Sequence, residues 1–183
     1  MSVDTNLIKT PYKREKFNQQ QIEEIVKCTQ DPQYFIENFV WIQHPVKGRL
    51  KFDLFDFQKG LLDAYHNHRY SIALISRQMG KSTAAGAYLL WYAMYVPDQT
   101  ILIAAHKYSG AQEIMQRIRF AYELLPDHVR AGCTAYNKGS LEFDNGSRII
   151  AQATTENTGR GLSISLAYLD EFAFVRPSVA KEF

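Results

Sequence analysis

Two short strings constrain this chain more than anything else in it: Ser76-Arg77-Gln78-Met79-Gly80-Lys81-Ser82-Thr83 and Leu169-Asp170-Glu171. A bound polyphosphate needs backbone N–H donors around it, a helix N-terminus pointing at it and a fixed cation. In the first string Gly80 lets the backbone approach, Lys81 supplies charge for the β- and γ-phosphates, and Ser82 supplies an oxygen for Mg²⁺. Ser76, Arg77, Gln78, Met79 and Thr83 complete the nucleotide-binding stretch. The first glycine of the usual G-x-x-x-x-G-K-[ST] pattern is absent: Ile75 holds its place, followed by Ser76. The second string ends an apolar run in an acid pair, with Asp170 suited to hold the water shell of Mg²⁺ and Glu171 to orient and deprotonate an attacking water. That adjacent glutamate favours hydrolysis over phosphoryl transfer to a metabolite. In this order, each after a strand-like segment, the two strings point to an ATP-hydrolysing core.

The segments around them predict an α/β fold. Ile22, Ile25 and Val26 lie on one face of a helix from Asn18 to Cys28, with Asn18 as its cap. Asp31-Pro32 opens a second helix running to Trp41, Pro45 to Gly48 is a turn, and Phe57 to His66 is a third helix. Tyr70 to Ser76 is apolar and β-prone, the length of a buried strand. A helix follows from Lys81 to Tyr95, then a buried strand from Thr100 to Ala105 and an amphipathic helix from Ala111 to Leu125. This alternation predicts a mostly parallel sheet flanked by helices. Asp144-Asn145-Gly146-Ser147 joins Ser140–Phe143 to Arg148–Ala153 as a hairpin. The last strand, Ser163 to Leu169, delivers the acid pair at its C-terminal end.

Three further residues can serve such a site. Arg77 lies inside the loop and can reach a γ-phosphate. Arg160 sits in Thr158-Gly159-Arg160-Gly161, a flexible glycine-flanked loop suited to an arginine finger. Gln58, just after Phe55 and Phe57, can pair with the donor and acceptor edge of adenine while an aromatic ring stacks. The bland readings are two solvated arginines and an ordinary glutamine at a helix start.

With 183 residues, 46% of them hydrophobic, the chain can bury one sizeable core. A net charge of +2 gives no compositional case for strong nucleic-acid binding. The polar stretch Met1 to Lys16 lacks the apolar centre of a secretory signal, no apolar run reaches the ~20 residues of a membrane span, and a cytoplasmic protein is expected. Residues 1–17 are predicted to be a flexible polar arm and 18–183 the folded domain. Cys28 and Cys133 have neither metal-site spacing nor a partner motif.

From Tyr34 to Phe174 the chain resembles the large terminase subunit of tailed bacteriophages, in its myovirus-type form. The resemblance rests on Tyr34-Phe35-Ile36-Glu37-Asn38, His44-Pro45-Val46-Lys47-Gly48, Asp56-Phe57-Gln58, the Ser-Arg-Gln form of the phosphate loop, Glu123-Leu124-Leu125-Pro126, Arg160-Gly161 and Tyr168-Leu169-Asp170-Glu171-Phe172-Ala173-Phe174. It implies a P-loop NTPase of the additional-strand, catalytic-glutamate type. Its activity would be Mg²⁺-dependent ATP hydrolysis that drives double-stranded viral DNA into a procapsid. The implied partners are the portal protein and a small terminase subunit, with a ring of copies on the portal in the host cytoplasm. The implied roles are Gln58 on adenine, Lys81 and Ser82 on phosphates and metal, Asp170 and Glu171 as Walker B acid and catalytic base, and Arg77 and Arg160 as γ-phosphate or trans-acting arginines. Family members continue into further ATPase strands and a metal-dependent nuclease domain, so the present residues correspond to the N-terminal part of the ATPase domain, without the nuclease. In this class the strand between the phosphate-loop strand and the acid-pair strand comes later in sequence, so a gapped or rearranged sheet centre and marginal stability are expected. Alternatives are a helicase-like DNA translocase, a nucleotide-binding fragment without turnover and, less well supported, a small-molecule kinase.

Overall fold

The computed structural model describes residues 7–181. Residues 1–6 of the expected arm lie outside them. Among the described residues the chain divides into two compact units, residues 7, 14–92 and 117–130, and residues 8–13, 93–116 and 131–181.

The first unit is mainly helical. Helix α1, Gln19–Gln30, starts where Asn18 predicts: the Asn18 side chain accepts from the Gln21 N–H, and the Gln21 side chain accepts from the Asn18 N–H in return. Asp31 caps α2, Pro32–Phe39, through the N–H groups of Gln33 and Tyr34. This helix stops before the predicted Trp41. Trp41 instead opens an antiparallel hairpin, β1 (Trp41–His44) and β2 (Gly48–Lys51), of which only the turn was foreseen. Helix α3, Asp56–Asn67, and most of α4, Lys81–Tyr95, follow in the same unit. Phe35, Ile36, Leu62, Leu89, Leu90, Ile118 and Tyr122 are fully buried. The Trp91 indole N–H donates to the Cys28 carbonyl at 2.6 Å, which satisfies both polar groups inside a nonpolar setting.

The expected buried strand Tyr70–Ser76 is the main departure. It is in no sheet, and Ile72 and Leu74 are 100% and 101% exposed. A β-prone run becomes a strand only where another strand accepts its hydrogen bonds, and among the described residues none pairs with it.

The second unit holds a five-stranded sheet in the order β4-β5-β6-β3-β7. Its strands are β3 (Thr100–Ala105), β4 (Cys133–Tyr136), β5 (Ser140–Phe143), β6 (Arg148–Ala153) and β7 (Leu166–Asp170). Strand β3 is parallel to both β6 and β7, whereas β4–β5 and β5–β6 are antiparallel. The sheet is therefore mixed rather than mostly parallel. The Asp144–Ser147 hairpin returns the chain directly beside itself, and a two-residue-scale turn can only join antiparallel strands. Helix α5, Tyr108–Glu123, follows β3 and contributes residues to both units, and a short α6, Pro177–Ala180, is the last helix described. Residues 8–13 are fastened here: the Cys133 N–H donates to the Lys9 carbonyl, and the Tyr12 N–H to Asp144.

Candidate nucleotide site

In the first unit, the phosphate-loop string forms a tight, exposed turn running directly into α4. Gln78 and Gly80 both take left-handed backbone angles, φ +63° and +73°, so the loop turns twice before the helix. The Gly80 carbonyl accepts from the N–H groups of Thr83 and Ala84, which makes it the first acceptor of α4 and places Lys81 and Ser82 in the first turn. Helix α4 has fifteen residues and no acidic residue in its first turn, so its N-terminal dipole is unopposed by its own side chains. This donor set fits a polyphosphate. Arg77 is exposed on the same turn.

Gln58 is 2% exposed, and its amide is engaged by the protein on both atoms. Its Oε1 accepts from the Phe55 N–H at 3.1 Å, and its Nε2 donates to the Met79 carbonyl at 3.2 Å. One side chain thus ties the start of α3 to the phosphate loop. The loop in turn has no room there: a Cβ on Gly80 would lie 2.7 Å from Gln58 Nε2. Beside it, the Phe55 and Phe57 rings stack with centroids 5.8 Å apart and 10° between planes, both exposed.

In the second unit, the parallel register decides where the acid pair lies. Ala105 pairs with Ala153 of β6 on one side and with Asp170 of β7 on the other. Asp170 therefore ends its strand level with both neighbours, and Thr154, His106 and Glu171 begin the connections at the C-terminal edge of the parallel strands. The Tyr168 hydroxyl donates to Asp170 Oδ1 at 3.3 Å. The sequence contained the signal for this contact, since residues two apart on a strand share a face. Glu171 is exposed and left-handed, φ +50°. A non-glycine residue held there is uncommon, and such strain gathers at functional positions.

The connection carrying Arg160 is held by its own hydrogen bonds rather than left loose. Thr158 Oγ1 donates to the Ala153 carbonyl and accepts from the Thr155 N–H, both at 2.7 Å. The Gly159 N–H donates to Gln152 Oε1 at 3.0 Å. Gly159 and Gly161, at φ +76° and +77°, flank Arg160, whose side chain is exposed. The Thr154 Oγ1 is buried without a hydrogen-bond partner among the described residues.

Comparison with known families matches residues 72–182 to the model described as "Terminase large subunit, T4likevirus-type, N-terminal". The chain belongs to this family. Among solved structures, it is similar to the crystal structure of the large terminase of bacteriophage HK97, with a TM-score of 0.65 and 25% identity over 81% of the present chain. The chain spans about a third of that protein's length, 32%. The family match covers the phosphate loop, the Arg160 connection and the acid pair, while Gln58 lies before it. No helix among the described residues is long and apolar enough to cross a membrane.

Proposed function

We propose that this terminase large-subunit chain is an ATPase part of a viral DNA-packaging motor, a P-loop NTPase of the catalytic-glutamate type. The observation that carries the reading is the loop Ser76–Thr83: two left-handed turns, then Lys81 and Ser82 opening a long helix, in a chain of the terminase family. Backbone N–H groups of Gln78, Met79, Gly80 and Lys81 bind the phosphates, Lys81 neutralises them, and Arg77 reaches the terminal one. Mg²⁺ would take an oxygen from Ser82 with Asp170 on its water shell, and would supply positive charge against the charge that develops on the phosphates. Glu171 orients the attacking water and takes its proton, and Arg160 supplies positive charge in its own or a neighbouring copy's site. The Gln58 amide, engaged by Phe55 and Met79, ties the loop to the start of α3 rather than offering its edge to adenine. Double-stranded viral DNA is the translocated polymer, with the portal protein, a small terminase subunit and further copies of this chain as partners on the procapsid.

Mg²⁺-dependent ATP turnover tests the reading. Glu171→Gln removes the base while keeping the shape, so turnover is expected to fall by at least the ~10²–10⁴ of a lost general base while ATP remains bound. Lys81→Ala is expected to weaken ATP binding itself. Equal turnover by the wild type and Glu171→Gln would reject Glu171 as the base.

The exposed Tyr70–Ser76 segment favours a second reading for the chain on its own: nucleotide binding without turnover. The phosphate loop follows directly on a segment that no strand among the described residues holds, so it can bind phosphate while its entry is not anchored in a sheet. ATP bound tightly with no hydrolysis by the wild type would establish that reading.

A further inference from the structure

The β1–β2 hairpin lies outside the nucleotide machinery. Its register places Trp41 opposite Lys51 and Gln43 opposite Arg49, so these four side chains share one face, while Ile42, Leu50 and His44 lie on the other. On the first face Lys51 Nζ is 5.0 Å and the Arg49 guanidinium carbon 5.5 Å from the Trp41 ring centroid. The indole holds both cations through its ring quadrupole. Lys51 Nζ also donates to the Asn38 carbonyl. At the tip, Val46, Lys47, Gly48 and Arg49 are all exposed.

Two properties separate this patch from an ordinary solvated surface. First, residues 41–51 contain Lys47, Arg49 and Lys51 and no carboxylate; the next one, Asp53, lies beyond β2. Most charged surfaces alternate in sign, and the chain as a whole nearly balances, with 21 Lys and Arg against 19 Asp and Glu. Second, the turn at the tip is closed by its own hydrogen bonds. His44 Nδ1 accepts from the N–H groups of both Val46 and Lys47 at 3.1 Å, and this closes the turn and fixes the path of Lys47. Pre-ordered cations lose less conformational freedom on binding than free ones.

We propose that this face of the hairpin docks on the phosphate backbone of duplex DNA, with Lys47, Arg49 and Lys51 as phosphate contacts and Trp41 as the plate that aligns the last two. The inference rests on the packaging reading for the identity of the polyanion, and on the hairpin alone for the place of contact. Contacts of this kind position the polymer without reading its bases, as suits a protein that moves DNA of any sequence.

The test is binding of a short fluorescent duplex to the full chain across a salt series, for wild type, Lys47→Ala/Arg49→Ala and the charge-preserving Lys47→Arg/Arg49→Lys. Each phosphate contact contributes about 0.9 to the slope of log affinity on log salt, so the alanine variant should lose about 1.8 from the slope. That corresponds to a roughly 60-fold weaker affinity near ~0.1 M salt. The charge-preserving variant should keep the wild-type slope, and both variants should melt like the wild type. An unchanged slope in the alanine variant overturns the hairpin as the contact and leaves the packaging reading intact. Absence of salt-dependent duplex binding by the wild type overturns both. Equal binding to poly-glutamate at matched charge overturns duplex DNA as the partner in favour of an acidic protein.

Discussion

Replacing Ile72 and Leu74 together by threonine should leave the stability of this chain nearly unchanged. In an extended segment, residues 70, 72 and 74 point the same way, and Tyr70, Ile72 and Leu74 are 81%, 100% and 101% exposed. Side chains that bury no surface contribute almost nothing to burial energy, so the double substitution is expected to shift unfolding free energy by no more than ~0.5 kcal/mol. Were Tyr70–Ser76 a buried strand, the same change would remove two core side chains worth ~1.5–3 kcal/mol each. Ile103, fully buried on β3, supplies the internal comparison: Ile103→Ala should cost about 2–5 kcal/mol. Urea unfolding decides between these, read as the midpoint at constant slope. The wild type should also self-associate as its concentration rises, because an extended row of bare apolar side chains is a template for pairing. Light scattering should show the threonine variant staying dispersed at concentrations where the wild type does not. A loss of ~2 kcal/mol or more in the variant would refute the reasoning and restore the segment to a packed strand.

Gly80→Ala is expected to weaken ATP binding by tenfold or more, measured by titration with a fluorescent nucleotide, because φ +73° disfavours a side chain and the new Cβ would meet Gln58 Nε2 at 2.7 Å. Burial, with a smaller contribution from Tyr92, pushes the Tyr88 hydroxyl up to about 12. Unfolded tyrosine ionises near pH ~10, so between these values the unfolded state binds fewer protons than the folded one and stability falls as pH rises. The contribution is whole below pH ~10 and is lost as pH rises toward about 12; Tyr88→Phe should flatten that part of a urea-midpoint profile.

Much of the fold and of the candidate site was legible in the residues themselves. Helix α4 occupies Lys81–Tyr95 and β3 occupies Thr100–Ala105 as their patterns predict, and Asp144-Asn145-Gly146-Ser147 turns β5 into β6. The caps Asn18 and Asp31 start their helices. These features depend on residues a few positions apart, whose backbone preferences and side-chain oxygens act over one turn. The phosphate-loop letters and the family strings were equally readable, because a glycine, a lysine and a hydroxyl in a row carry their chemistry wherever the chain places them.

What the tertiary structure alone decided involves partners distant in sequence. Strand-like composition was present at both Tyr70–Ser76 and Thr100–Ala105, yet only the latter found neighbours, β6 and β7, to complete its hydrogen bonds. Trp41 ends as a hairpin residue rather than the end of α2 because Lys51 pairs across from it. Asp170 is level with Ala105 and Ala153 through register, which no local pattern encodes. Gln58, read as a group for adenine, has its amide drawn to Phe55 and Met79 by burial, since a buried donor and acceptor must be satisfied within the protein. Local sequence determined which elements and which reactive groups exist; pairing and burial determined which of them are held, and where.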